Sequence, residues 1–464
     1  MSDGLKAALM AVVVLYAGPG GAAELSVDAA RRSALSLTIY GNGLALVKER
    51  RSVVLANGIN RLVVGDVSPT LLADSLRIGL DGGGRIIEQA FEPAKLTPQS
   101  LLEAHIGRPA RLIRSDPKTG LRTEVEATPI SVRGGVIARI GGRVVSNPEG
   151  RWSFGAVPAG LRDSAVVGLG IDGVATGERL MELRYLATGL RWRAAYTADW
   201  DRAAGQVSVD AWANIDNAAG IDFNEARVQL VAGSVNRVSQ PRLRGAVMMM
   251  KSEAATDSVQ RQALGGFHMY SLPVTLSLAK GGSKLAALLP SRKLPVTREL
   301  VSQGNPNVFG GGAPRMAKPD HPVIRLRLVN AVGGGQPWPG GTFRLYGHDK
   351  SGETQFLGED RIGDVPVGGT ALIKAGRAFD LTVARQRTDF RRENRTITEA
   401  AFAIEAINGG DTEEVVKIIE ALPGDWRILD SDKPNLREGD GAVWMITVPA
   451  RGKVKFSYRV RVRT

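Results

Sequence analysis

Apolar and polar residues alternate with a period of two along most of this chain, and one phrase built on that alternation recurs three times. It reads Ala211-Trp-Ala-Asn-Ile-Asp-Asn217 with Gly220, then Ile324-Arg-Leu-Arg-Leu-Val-Asn330 with Pro339 and Gly340, then Ala401-Phe-Ala-Ile-Glu-Ala-Ile-Asn408 with Gly409. Each copy stops at an asparagine, a residue that tolerates left-handed backbone, and alternation resumes after a glycine-containing turn. This predicts an all-β, multi-domain chain of stacked antiparallel β-sandwiches, immunoglobulin-like in kind.

The N-terminal half carries the same period in shorter pieces. Strands are expected over 36–40, 44–55 and 59–67, with turns at Gly41-Asn-Gly43 and Asn57-Gly58, where Asn-Gly supplies positive φ. Thr97-Pro-Gln-Ser-Leu-Leu-Glu-Ala-His105 reads as a short helix with Thr97 as N-cap and Pro98 in the first turn. Five short strands follow at 110–114, 122–127, 130–132, 136–140 and 151–154, and their even spacing predicts a small β-barrel at about 103–160. Alternation vanishes over 236–267, around Met248-Met-Met250, which predicts a mobile loop. Gly304 to Pro319 is a second breaker cluster.

Length and composition set the scale. The 464 residues, 43% hydrophobic, suit roughly three domains at ~150 residues each. The expected division is a 1–23 leader, an N-terminal β-domain at 24–175 that holds the barrel, a central sandwich at 176–320 and a C-terminal sandwich at 321–464. Lys6, the apolar run 7–17, and Gly21 and Ala23 before Glu24 read as a signal peptide, so the mature chain is expected in the periplasm or secreted. No later stretch reaches the ~20 apolar residues of a transmembrane anchor. The absence of cysteine excludes disulfides, and a net charge of +13 predicts attraction to polyanions.

The segments Tyr185-Leu-Ala-Thr-Gly-Leu-Arg-Trp-Arg-Ala-Ala-Tyr196, Trp212-Ala-Asn-Ile-Asp-Asn-Ala-Ala-Gly-Ile-Asp-Phe223 and Val228-Gln-Leu-Val-Ala-Gly-Ser-Val-Asn236 resemble a bacterial envelope family of unknown function, one branch of which is named mucoidy inhibitor A. Gly358-Glu-Asp-Arg-Ile362, Thr388-Asp-Phe-Arg391 and Leu422-Pro-Gly-Asp-Trp426 extend the likeness over about 185–464. Ser234 replaces the family's usual acidic residue, and the N-terminal half lacks the long coiled-coil helices of that branch. The resemblance implies export and β-structure, and it carries no catalytic residues with it.

Catalytic constellations are sparse. His105, His268, His321 and His348 are far apart, the pairs Asp320-His321 and His348-Asp349 read as solvated turns, and neither a metal nor another cofactor is expected. Glu359, Asp360 and Asp364 could approach a cation, but Asp364 stands where a turn is expected. Ser234 has no nucleophile elbow around it, and the glycine triplets lack the Lys-Ser/Thr of a phosphate loop. A glycosidase would draw on Asp389, Glu399 and Glu405.

The strongest surface signal is the last strand, where Val454, Phe456, Tyr458, Val460 and Val462 share one face. Lys453, Lys455, Arg459, Arg461 and Arg463 share the other, a basic stripe over about 33 Å that Arg385, Arg387, Arg391, Arg392 and Arg395 extend. Protection of a sheet edge against aggregation is the competing explanation. Trp192 with Tyr196, and Trp212 with Asn214 and Asp216, either pack the core or offer a sugar-binding surface. The expected function is a non-catalytic envelope protein that binds a protein partner or an anionic glycan or lipid surface rather than nucleic acid, with carbohydrate binding second and a carboxylate-dependent hydrolase third.

Overall fold

The computed structural model describes residues 24–116, 119–158, 160–233, 267–305, 318–330, 335–349 and 351–463. The expected leader, the loop 236–267 apart from Phe267, Ser234 and Gly310-Gly-Gly312 lie outside the described residues. Strands dominate, and the one α-helix among the described residues is Pro98–Ala104. Its start follows the sequence signal: Thr97 caps it, Pro98 opens it, and Thr97 and Ser100 exchange the reciprocal bonds of a capping box.

Two compact units emerge. One comprises the described parts of Met1–Trp192 and Ile215–Lys284, the other Arg193–Asn214 and the described parts of Leu285–Thr464. The junctions expected near 175 and 320 lie inside these units. The chain passes between the units within the strands Leu190–Asp201, Gln206–Asn217 and Ser283–Gln303, so no linker composition marks the crossings.

In the first unit, strands Arg32–Tyr40, Leu44–Leu55 and Gly177–Thr188 lie side by side in one sheet, and Gly58–Val64 and Val166–Val174 pair in another. Arg51 reaches from the first sheet to the segments of the second. Its guanidinium is fully buried and donates to the carbonyls of Val27, Gly65 and Asp66 at 3.1, 2.7 and 3.2 Å, with Glu49 as counter-ion. Such a charge is tolerable only because every donor finds an acceptor.

The small barrel is not closed. Its strands form an open five-stranded sheet in which Arg122–Ser131 is one strand where the sequence suggested two, and Arg143–Ser146 is an added strand. Pro129 sits inside that strand where the pairing with Ile137–Ile140 shifts register, a place that dispenses with a ladder donor. The sheets are also not uniformly antiparallel. Glu24–Val27 runs parallel to Gly58–Val64, Phe223–Ala232 to Arg32–Tyr40, Leu190–Asp201 to Gly341–His348, and Ser283–Gln303 to Glu414–Ala421.

In the second unit a sandwich closes the chain. One layer is Leu381–Arg392, Ile397–Asn408, Lys453–Arg463 and Asp425–Ser431; the other includes Glu414–Ala421 and Gly441–Val448. Between them lies a core built on Trp444, with ring centroids 4.8 Å from Tyr458 and 5.6 Å from Phe456. The Trp444 indole donates to Ser431 Oγ at 3.1 Å, so its polar edge is satisfied.

The three repeated phrases are real structural repeats, but their asparagines are not left-handed. Asn217, Asn330 and Asn408 are buried, and none has positive φ. Asn408 Nδ2 donates to the carbonyls of Thr412, Val448 and Pro449 at 2.8, 3.3 and 3.2 Å, while Oδ1 accepts from the Gly410 amide at 2.9 Å. Asn217 does the same with Ile221, Leu278, Ala279 and the Ala219 amide. Asn330 donates to Gln336, Val365 and Pro366.

Each asparagine thus clamps a distant turn: Leu278-Ala-Lys-Gly-Gly282, Val365-Pro-Val-Gly-Gly369 or Val448-Pro-Ala-Arg-Gly452. The last glycine of each turn accepts the clamping residue's own amide at 2.9 Å and donates back three residues, closing a β-turn. The residue before it has φ of +72°, +83° and +51° in Gly281, Gly368 and Arg451, the left-handed position a type II turn demands.

Candidate functional site

The stripe on Lys453–Arg463 faces outward as its alternation predicts. The strand lies between Ile397–Asn408 and Asp425–Ser431, and the latter pairs with Tyr458–Arg463, so edge protection does not explain Arg459, Arg461 and Arg463, whereas Lys453 and Lys455 lie beyond that pairing. Cross-strand register brings carboxylates to the cations. Arg459 bonds Asp389 at 2.8 Å, Arg461 bonds Glu399 at 2.7 Å and Glu393 at 3.0 Å, and Lys455 and Lys453 approach Glu405 at 3.2 and 3.8 Å. Arg463 stands opposite Asp425. The three carboxylates considered for glycoside hydrolysis are therefore the counter-ions of the basic stripe.

The pairing shows in their acidity. The hydrogen bond from Arg459 holds the Asp389 carboxyl below its ordinary value of 3.8, and bonds from the Ser457 hydroxyl and amide do the same for Asp432 on the same face. A carboxyl held low is a poor general acid. Because both values are depressed in the folded state, the stability they lend is present above the unfolded value and is lost as pH falls through and below it. Melting temperature is expected to be level down to about pH 4.5 and to drop toward pH 3; a flat profile through that window would show that these pairs lend nothing.

Arg385 does not join the stripe. It points inward and forms a buried network, with Nε donating to Glu420 at 2.6 Å, Nη1 to Asp320 at 2.9 Å and Nη2 to Ser302 Oγ at 2.8 Å. Tyr458 donates its hydroxyl to Glu420 at 3.3 Å. Burial pushes the Glu420 carboxyl above its ordinary value of 4.5 and the Tyr458 phenol well above 10.0. Gly304 lies flat against Glu420, where a Cβ would clash with Oε2. Arg387 instead stacks on Phe390 at 4.5 Å, and Arg391, Arg392 and Arg395 are exposed.

The remaining candidates divide between core and turn. Trp192 and Tyr196 are buried, the indole donating to Val231 at 3.1 Å and the phenol to Pro339 at 2.6 Å. Trp212 is 38% exposed on the opposite face of its strand, with Asn214 and Asp216 half-buried there. Asp364 accepts the Gly340 amide at 2.6 Å, Asp360 the Lys374 amide at 2.8 Å, and Glu359 pairs with Arg344. His105 bonds the Leu101 carbonyl through Nδ1 at 2.7 Å. Among the described residues no three His, Asp or Glu side chains gather as a metal site would require, and no helix is long and apolar enough to cross a bilayer.

A feature absent from the sequence reading is a cleft of about 1070 Å³ in the second unit. It opens where the parallel strands Leu190–Asp201 and Gly341–His348 both end, so two chain exits, 199–203 and 347–349, line the same mouth. Trp200, Ile324 and Leu357 supply apolar walls; Arg377, His348 and Gln355 bring polar groups to it. Asp199 and Asp201 also reach it, while Arg202 is already drawn toward Glu414 at 3.6 Å. Asp349 is committed to its turn: a bond from the Ser351 hydroxyl, helped by two amides, holds its carboxyl low. Apolar walls with a few convergent polar groups are the usual make-up of a ligand site. The acid-flanked tryptophan of Asp199-Trp-Asp201 and the His348-Asp349 pair were the local signals, but nothing along the chain joins them.

No family model, curated protein or solved structure matches this chain.

Proposed function

We propose that this chain is a non-catalytic binding protein of the bacterial envelope, exported by its N-terminal leader, and that it holds an anionic envelope component in the cleft beside Trp200. The observation that carries this reading is the cleft itself, which sets an aromatic wall and the exposed Arg377 and His348 around one opening. The net charge of +13 favours anions generally, and the likeness of 185–464 to the envelope family supports the location. The stripe is the weaker receptor, since Asp389, Glu399 and Glu405 already pair with four of its five cations.

Co-sedimentation with isolated envelopes at low and high salt tests this. Trp200→Ala and Arg377→Glu are each expected to weaken binding about tenfold, and the paired change Lys453→Gln with Lys455→Gln to leave it unchanged. Binding lost in the lysine variant and kept in both cleft variants would move the site to the stripe and overturn the proposal.

A further inference from the structure

Phe379 is 88% exposed, the most exposed large apolar side chain among the described residues. It lies in the turn between Thr370–Arg377 and Leu381–Arg392. The His321 ring lies nearly parallel to it, with centroids 6.4 Å apart and planes 13° apart. That ring is itself anchored, because Nδ1 bonds the carbonyls of Ala378 and Leu381 at 3.0 and 2.9 Å. Arg377 donates to the His321 carbonyl at 2.9 Å while lining the cleft. The turn that carries Phe379 is thus tied to His321 on both sides of it, and an exposed aromatic ring on a tied backbone has the character of an interface anchor.

Arg377 joins this platform to the cleft. It lies two residues from Phe379, at most about 7 Å along the chain, and its guanidinium can pair with a carboxylate in a planar fork. Trp200 and Arg377 line the same cleft, and Phe379 follows Arg377 by two residues, so two aromatic side chains and a cation stand along one stretch of surface. Aromatic faces carry negative charge density and attract the slightly positive C–H groups on the flat face of a sugar ring. Asp199 and Asp201, on either side of Trp200, supply acceptors for hydroxyl groups, and Gln355, whose amide donates to Asp349 at 3.4 Å, lines the same cleft. A lipid chain would leave these polar groups unpaired, at a cost in affinity.

Building on the cleft as the binding site, we propose that its ligand is an acidic oligosaccharide. One ring packs on Trp200, a carboxylate of the chain pairs with Arg377, and a further ring lies on Phe379.

The test is titration calorimetry of the full chain with galacturonate disaccharide and hexasaccharide, and with a neutral cello-hexasaccharide. The acidic hexasaccharide is expected to bind more tightly than both others. Phe379→Ala is expected to weaken the hexasaccharide about tenfold while leaving the disaccharide unchanged, and Arg377→Gln to erase the preference for the acidic chain. Equal binding of acidic and neutral chains would overturn the assignment, as would an equal effect of Phe379→Ala on both lengths. If the cleft variants abolish envelope binding but no oligosaccharide binds, the cleft stands as the site and the ligand class falls. If Trp200→Ala and Arg377→Glu affect neither assay, both proposals fall.

Discussion

Asn408→Ala should destabilise the second unit by about 2–4 kcal/mol, among the larger effects open to a single substitution. The side chain is buried and serves the carbonyls of Thr412, Val448 and Pro449 as well as the Gly410 amide. Alanine fills less of the space and removes four bonds at once. The Pro449 carbonyl keeps the Gly452 amide, but the buried Val448 carbonyl loses a donor and the half-buried Gly410 amide its acceptor, so part of their desolvation cost is exposed in addition to the net value of the bonds. The loss also frees the turn Val448-Pro-Ala-Arg-Gly452, in which Arg451 holds a left-handed φ of +51° that a non-glycine residue adopts only when its surroundings enforce it. Asn217→Ala should act alike in the first unit. Asn408→Asp keeps the acceptor but removes the donors and buries a charge, so it should be at least as damaging. Urea unfolding reads the result as a lower midpoint at unchanged slope. A shift equivalent to less than about 0.5 kcal/mol would mean that the clamp is incidental.

Arg385→Met should cost about 3–5 kcal/mol at neutral pH, because it strips the counter-ion from a buried carboxylate while nearly preserving volume. Glu420, at 4% exposure, would keep only the Tyr458 hydroxyl as a donor from a side chain, with the Asp320 charge nearby. The pH dependence distinguishes this from simple loss of packing. Burial already raises the Glu420 carboxyl above 4.5, and removal of the guanidinium raises it further. The folded variant therefore takes up a proton more readily than its unfolded chain, and its stability falls as pH rises through the gap between the two values. The deficit against the parent should be full at neutral pH and shrink as pH falls toward about 4.5. A deficit independent of pH would assign the effect to lost contacts alone. The apolar pair Arg385→Met with Glu420→Leu should recover much of the loss.

What the sequence disclosed was local. Thr97 with Pro98 announced the helix, and the two-residue period of 453–463 placed Phe456 and Tyr458 in the core, because caps and strand faces depend on neighbours a few residues apart. Pairing partners were hidden. The basic stripe was visible on its strand, but the carboxylates that neutralise it lie on other strands, with Asp389 70 residues from Arg459 and Glu399 62 residues from Arg461. The clamps show the same divide. Each asparagine could be read, yet the turn carbonyls it holds lie 61, 35 and 40 residues downstream, a spacing too variable to appear as a repeat.

The parallel strand pairs and the open five-stranded sheet were misjudged for a related reason, since alternation reports which face a residue occupies and not which strand lies beside it. The cleft was invisible because its lining comes from the ends of separated strands, including 199–203, 347–349 and 375–377. Arg385 looked like part of the stripe only until its register was known: Arg385 pairs with Ile404, an inward residue, before the bulge between Arg387 and Asp389.

The most direct test of the account is amide hydrogen exchange of the full chain with and without solubilised envelope material. The account predicts slowed exchange at 199–203, 347–349 and 375–379, with 453–463 unchanged. Protection confined to 453–463 and its neighbour strands, with the cleft segments unaffected, would contradict it and make the paired charges of the last strand the binding surface.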